Sequence, residues 1–404
     1  MMGQLNCPII SLGSSPRVVA LFNFVNEGKP SMKKRDWKKI GWRILQAAGL
    51  IYLFLLISPV AGLDIPRIIN TITTQPELVL RYTWIGIANG GIFAIVALGY
   101  TMVYGIIQLI NFAHGDVYMM STFMALTVIA ALGATNKSDP ATILITLVIT
   151  VVVTVLFGGT LNATIERVAY RRLRNAPRLA PLISAIGVSL ILQNLGQIWA
   201  GQGYINFLKP YFGTSGGAAQ KAFPDLMGSV DMVDWATKLL GMQPIPLKIF
   251  TKEVFVVVAA IVLMIVLRLF VQRTRLGKAM RATAENRDAA KIMGINIDRI
   301  IAITFFIGGA LAGAAALLNG LYVNTAWWLM GFQAGLRSFT AAVLGGIGNV
   351  TGAMLGGFII GILTSLSDGL LDPAWTRAWV FAVLVLVLIF RPNGLLGSSV
   401  GQKA

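Results

Sequence analysis

The residues able to do chemistry in this chain are few, and they cluster. The only histidine, His114, sits in LINFAHGDVYMM (109–120), with Gly115 and Asp116 after it and Asn111 just before. A histidine and a carboxylate at this spacing suit a proton relay, a metal site, a substrate contact or a break in a membrane helix. The metal reading lacks companions. The one cysteine, Cys7, is far away in sequence, so no zinc site has enough donors, and a single cysteine makes no disulfide framework. No phosphate-binding loop ending in Gly-Lys-Ser/Thr occurs. GGIGNVTG (345–352) lacks the lysine and lies in an apolar stretch, where its glycines suit close helix packing. No catalytic residue and no metal ligand is assigned, and the chain reads as a protein that is not an enzyme and binds no cofactor itself.

The elements that must position this cluster follow from composition. Of 404 residues 56% are hydrophobic and 12% charged, with a mean hydropathy of +0.75. That is half the charge of an average soluble domain, which has about 25%. Apolar runs long enough to cross a hydrocarbon core of about 30 Å recur. They cover 44–62, 82–104, 106–132, 141–163, 179–200, 254–271, 300–323 and 375–390. The run 337–367 is too long for one span and reads as a helical hairpin turning at 345–352. The fold class is all-α: a polytopic transmembrane helical bundle of about 8–10 membrane segments. The 43 glycines fit close helix packing.

The net charge of +17 lies between the spans, not on a nucleic-acid face. Two strongly basic loops, 166–178 and 272–299, belong on the cytoplasmic side. The long loop 201–251 fits the outer side, and Trp327 and Trp328 fit an interfacial belt. With 106–132 crossing once and the hairpin returning, the C-terminal FRPNGLLG falls inside. Residues 1–39 read as a disordered cytoplasmic extension, and 40–62 as an extra N-terminal membrane helix or signal anchor. Residues 82–397 form the main membrane domain.

In this frame His114 and Asp116 fall about a third of the way into a span, where an ionisable group costs roughly 2.5–3.5 kcal/mol on insertion scales. Asn111, His114, Gly115 and Asp116 together suit a helix broken inside protein, beside a translocation path or making helix contacts. A proton relay stays open but is short of acids. Asn89, Asn194 and Asn319 read as interhelix hydrogen-bonding groups. ERVAYRRLR (166–174) reads as a headgroup and topology anchor, with a contact to a cytoplasmic partner as the sharper alternative.

The second cluster lies in RATAENRDAAKIMGIN (281–296). Its alanines favour helix. Gly294 offers a left-handed cap, and Asn296 and Asp298 can start the next helix. By spacing alone it is a short helix, a tight turn and a return to the membrane, which a solvated connector would also satisfy. The pattern resembles the cytoplasmic coupling loop of ABC importer permeases, in which Glu-Ala-Ala is followed several residues on by glycine. Glu285 matches the glutamate, and Asn286 departs from the alanine. The likeness is closer to the permeases for branched-chain amino acids. It is carried by 89–120, ERVAYRRLR, SAIGVSLILQN (184–194), 293–313, AAVLGGIGNVTGAMLGG (341–357) and RPNGLLG (391–397). It runs from about residue 82 to 397; the first eighty residues and much of 201–251 look like additions.

The resemblance implies a multi-pass permease subunit in a bacterial inner membrane, moving branched-chain amino acids. It implies a second permease subunit as a heterodimeric partner, two cytoplasmic ATPase subunits that hold the ATP, a periplasmic substrate-binding protein, and surrounding lipid. Nucleic acid is not among the partners. The coupling loop would seat Arg281, Ala284, Glu285, Asn286, Ala289, Ala290 and Gly294 in a cleft of the ATPase. Arg281, Glu285, Arg287, Asp288 and Lys291 would meet the partner surface. Similar permeases carry urea, short amides or other amino acids. The rival from another class is a gradient-driven secondary transporter with His114 and Asp116 as its coupling site.

Overall fold

The computed structural model describes residues 65–397 and Gln46, apart from Asn175, Arg178, Tyr204, Asn206, Phe207, Thr214, Ser215, Met242, Pro244, Ile245, Asp372 and Pro392. The expectations for 1–39 and, but for Gln46, for 40–62 lie outside the described residues.

A short helix, α1 (Ile65–Thr74), leads into the longest one, α2 (Pro76–Ile107). Pro76 opens α2, where a missing N–H costs nothing. At 32 residues α2 spans about 48 Å, more than a hydrocarbon core needs. Next come α3 (His114–Leu132), α4 (Pro140–Ile165) and α5 (Leu179–Ala200). Asp139 caps α4 by accepting from the Ala141 N–H, and α4 runs on through a π turn (Glu166–Tyr170) and a 3₁₀ turn (Arg171–Leu173). Two small helices, α6 (Lys209–Phe212) and α7 (Met232–Leu240), lie between α5 and α8. α8 (Thr251–Arg273), α9 (Arg275–Glu285), α10 (Arg287–Ile292) and α11 (Ile297–Val323) follow, then α12 (Met330–Gly345), α13 (Val350–Leu370) and α14 (Thr376–Phe390). Among the described residues strand is confined to one antiparallel pair, β1 (Lys221–Ala222) with β2 (Thr325–Ala326), which ties the segment between α5 and α8 to the end of α11.

Eight of the described helical stretches are long and apolar enough to cross a membrane. Their burial differs sharply. α2 packs against α13, α11, α8 and α12 and is buried along most of its length, whereas α8 and α14 leave most of theirs exposed. The centre is therefore α2, α3 and α11, with α8 and α14 facing outward. Small residues set the α2–α13 distance: a Cβ on Gly361 would stand 2.3 Å from the Cα of Gly90. Asn89 adds an interhelix hydrogen bond there, to Ser365 Oγ at 3.1 Å.

Two span boundaries differ from the sequence reading. Residues 106–132 are not one span: Ile106 and Ile107 complete α2, and a new helix starts at His114. The chain turns because Gln108 adopts a left-handed backbone (φ 60°), which ends a helix as glycine usually does. The hairpin is wider than 337–367. α12 begins at Met330, so Arg337 lies in mid-helix instead of at a span edge, and the 21-residue α13 is long enough to cross alone. The hairpin turn and the C-terminal tail pair directly. Leu395 N–H donates to Leu344 O, Leu396 N–H to Gly345 O, and Asn349 Nδ2 to Leu396 O, at 2.8, 3.0 and 2.8 Å.

Candidate functional site

The connection 108–113 between α2 and α3 is pinned from three sides. Tyr170 donates its hydroxyl to Ile110 O and Asn111 Oδ1, both at 3.2 Å. Asn111 Nδ2 donates to Asn162 Oδ1 on α4 at 3.1 Å, and Asn162 Nδ2 to Phe305 O on α11 at 2.7 Å. The first turn of α3 then carries His114, Gly115 and Asp116, all buried. The His114 ring stands edge-on to Tyr100 at 4.8 Å between centroids. Tyr100 lies about two turns before the end of α2, so the chain folds back along α2 before α3 begins. Gly115 touches α12 directly, for a Cβ there would lie 2.3 Å from Gly331 O. Asp116 accepts from the Ser189 hydroxyl and, at 3.3 Å, from Gln193 Nε2, which fastens α3 to α5.

Helix contacts thus account for Asn111 and for one oxygen of Asp116. They do not account for everything. His114 lies against the backbone of α2 at Val96, whereas Asp116 Oδ1, Thr101 Oγ1 on α2 and Ser338 Oγ on α12 are buried without a hydrogen-bond partner among the described residues. An unmet buried polar group costs about 1–3 kcal/mol, and three such residues lie on the mutually packed helices α2, α3 and α12. The meeting of α2, α3 and α12 is a polar seam inside an apolar bundle.

The second cluster forms a helix–kink–helix. Asn286 ends α9 in an extended conformation and caps α10, its side chain accepting from the Ala289 N–H at 3.0 Å. The residue that departs from the family pattern is thus a capping residue. Gly294 is left-handed (φ 80°), and Asn296 caps α11 by accepting from the Arg299 N–H at 3.0 Å. Arg281, Glu285, Asn286, Ala289 and Gly294 are exposed, Ala284 half-buried and Ala290 buried.

Arg287 does not extend outward with the other loop charges. Its Nη2 donates to Ile106 O and Ile107 O at 2.8 and 2.7 Å, because the last carbonyls of α2 lack helical partners and attract a cation. Burial, and then nearby Arg174, lower its pKa from the ordinary arginine value. What the loop does present is apolar: Ile292 and Met293 are 86% and 80% exposed. ERVAYRRLR divides likewise. Arg167 and Arg172 are exposed, while Arg174 bridges buried Glu166 and Asp298, and Arg171 pairs with Glu166 at 3.0 Å.

Sequence reasoning passed over Tyr100, Ser189, Gln193, Arg337, Ile292 and Met293. Ser189 and Gln193 carry a readable signal, since polar residues four apart in an apolar span share a helix face. Two large apolar residues beside Gly294 in an otherwise polar loop carry another.

A bundle of membrane-length helices with buried polar groups between them and a capped helical loop joining two spans is the architecture of a polytopic membrane protein. The chain belongs to the family described as the branched-chain amino acid transport system permease component, whose model matches residues 82–388. It is 38% identical over 324 residues to the high-affinity branched-chain amino acid transport system permease protein LivH of Escherichia coli (strain K12), covering 80% of this chain and 97% of that protein. It is 40% identical over 321 residues to the corresponding protein BraD of Pseudomonas aeruginosa, covering 79% and 95%. The autoinducer 2 import system permease protein LsrC of Photorhabdus laumondii is 31% identical over 139 residues, 32% of this chain and 41% of that one. No solved structure matches the chain. The protein is a transport permease subunit, a multi-pass protein of the bacterial inner membrane.

Proposed function

We propose that this chain is the membrane subunit of an ATP-driven importer of branched-chain amino acids. It pairs with a second permease subunit, receives its solute from a periplasmic binding protein, and is driven by two cytoplasmic ATPase subunits that hold the ATP. The observation that carries this reading is the cytoplasmic loop. A capped short helix displays Ile292 and Met293 to solvent at its tip, far more apolar exposure than a solvated connector needs. The names of the relatives support the substrate. The loop residues Arg281, Ala284, Glu285, Asn286, Ala289, Ala290 and Gly294 shape the ATPase contact, and the seam at Asn111, His114, Gly115 and Asp116 borders the solute path.

The test deletes residues 289–294 or replaces Ile292 and Met293 by serine. ATPase subunits then fail to co-purify, and ATP-dependent leucine uptake into proteoliposomes stops. A wild-type protein whose uptake persists without any ATPase and collapses with an uncoupler is instead a gradient-driven transporter. Uptake of urea or amides in preference to leucine assigns the substrate to the alternative class.

A further inference from the structure

A cation sits among the helices of the membrane domain. Arg337 is the eighth of sixteen residues in α12, the helix that packs against α2, α3, α13 and α14. Among the described residues it makes no hydrogen bond and no ion pair. Its guanidinium lies over the face of Phe93, 5.6 Å from the ring centroid, and the residue is half-buried. The acid whose field reaches it, Asp368, accepts a hydrogen bond from Thr376 instead. Its neighbour in sequence, Ser338, has an unpartnered buried hydroxyl, and Thr101 and Asp116 add unmatched polar atoms at the same helix junction.

A charge packed among apolar membrane helices is tolerated only where it meets a partner or lines a hydrated space. A guanidinium held over the face of an aromatic ring can still present N–H edges to an acceptor. The acceptor that fits this fork with two parallel hydrogen bonds is an oxyanion, above all a carboxylate. Phe93 supplies apolar surface beside it. We propose that Arg337 is the carboxylate-binding residue of the solute path, so that the transported solute is an apolar carboxylic acid of the amino-acid type and not urea or an amide. The assignment deepens the transport reading above and rests on it.

The test uses the complex purified through this chain from native membranes, in nanodiscs of phosphatidylcholine without binding protein. The probe is radiolabelled leucine, with leucinol, which lacks the carboxylate, as competitor. Leucine should bind the wild type, and leucinol should displace it at least tenfold more weakly than unlabelled leucine does. Arg337→Met should weaken leucine binding at least tenfold and erase the difference between the competitors, with Arg337→Lys in between. Equal competition by leucinol on the wild type, no leucine binding up to millimolar concentration, or unchanged discrimination in Arg337→Met would each overturn the assignment. The wild-type comparison needs no variant to fold. Discs containing phosphatidylglycerol separate the other oxyanion source. If Arg337→Met binds leucine normally but loses co-purifying phosphatidylglycerol, the arginine pairs with a lipid phosphate and the proposal fails. ATP-dependent uptake by the wild type is scored separately, so loss of the transport reading is distinguishable from loss of this one.

Discussion

At the scale of single residues, two positions at the ends of α2 and α3 act in different ways. Gly115 is there for closeness. A methyl at that position meets the Gly331 carbonyl, part of a helix backbone that cannot rotate aside. Gly115→Ala should therefore push α3 from α12 and cost about 1–3 kcal/mol, as overpacking does. The expected result is a lower thermal midpoint in detergent; an unchanged midpoint would mean that α3 and α12 are not in contact. Arg287, at the start of α10, satisfies backbone instead. It completes the last turn of α2 with charge-assisted bonds to two carbonyls. Removing it leaves those carbonyls without a protein partner, so Arg287→Ala should loosen the 108–113 connection. Limited proteolysis or hydrogen exchange should register faster opening at residues 104–113, with Arg287→Lys restoring part of the protection because an ammonium can reach one carbonyl.

At the scale of elements, what matters is which helix ends are fastened. Asn286 turns one cytoplasmic helix into two by capping the second, and α10 has only six residues, too few to persist by propensity alone. Loss of an N-cap costs about 1 kcal/mol, close to fivefold in an equilibrium. Asn286→Ala should weaken ATPase co-purification by about that factor, and Asn286→Asp, which keeps the acceptor, should not; equal retention by both would remove the cap from the coupling argument. Much at this scale was legible in the sequence. Gly294 and Asn296 stand in the roles their types announce, and runs of apolar residues mark the spans because lipid demands continuous length. The turn at Gln108 was not legible. Nothing in its side chain favours a positive φ, and it is held by what surrounds it: Arg287 from one helix and Tyr170 from another. The inward course of Arg287 was hidden for the same reason, since a loop arginine looks solvated until the helix end beneath it is known. Arg337 was misplaced because hydropathy blurs where a hairpin arm begins.

At the scale of the whole molecule, the two ends of the bundle carry different chemistry. One end gathers Arg287, the Glu166–Arg174–Asp298 bridge, the 346–349 turn and the C-terminal tail. The other gathers α7, the small sheet and the Arg81–Glu253 pair, whose two hydrogen bonds of 2.7 and 2.6 Å tie α2 to α8. At this end Lys252 bonds to Asp225 at 2.7 Å, joining the segment after α5 to the start of α8. The excess of arginine and lysine around α9 and α10 assigns the first end to the cytoplasm. This orientation can be tested directly because the chain has one cysteine. In a Cys7→Ser background, Leu240→Cys on α7 and Ile292→Cys on α10 offer thiols at positions 69% and 86% exposed. A membrane-impermeant maleimide added to spheroplasts should label Leu240→Cys at once and Ile292→Cys only after permeabilisation. Labelling of Ile292→Cys in sealed spheroplasts would invert the bundle and place the loop where no cytoplasmic ATPase could reach it. If the ATPase subunits are co-expressed, Ile292→Cys should also lose its reactivity in permeabilised cells, because the apolar tip that lies open in the isolated chain would then be covered.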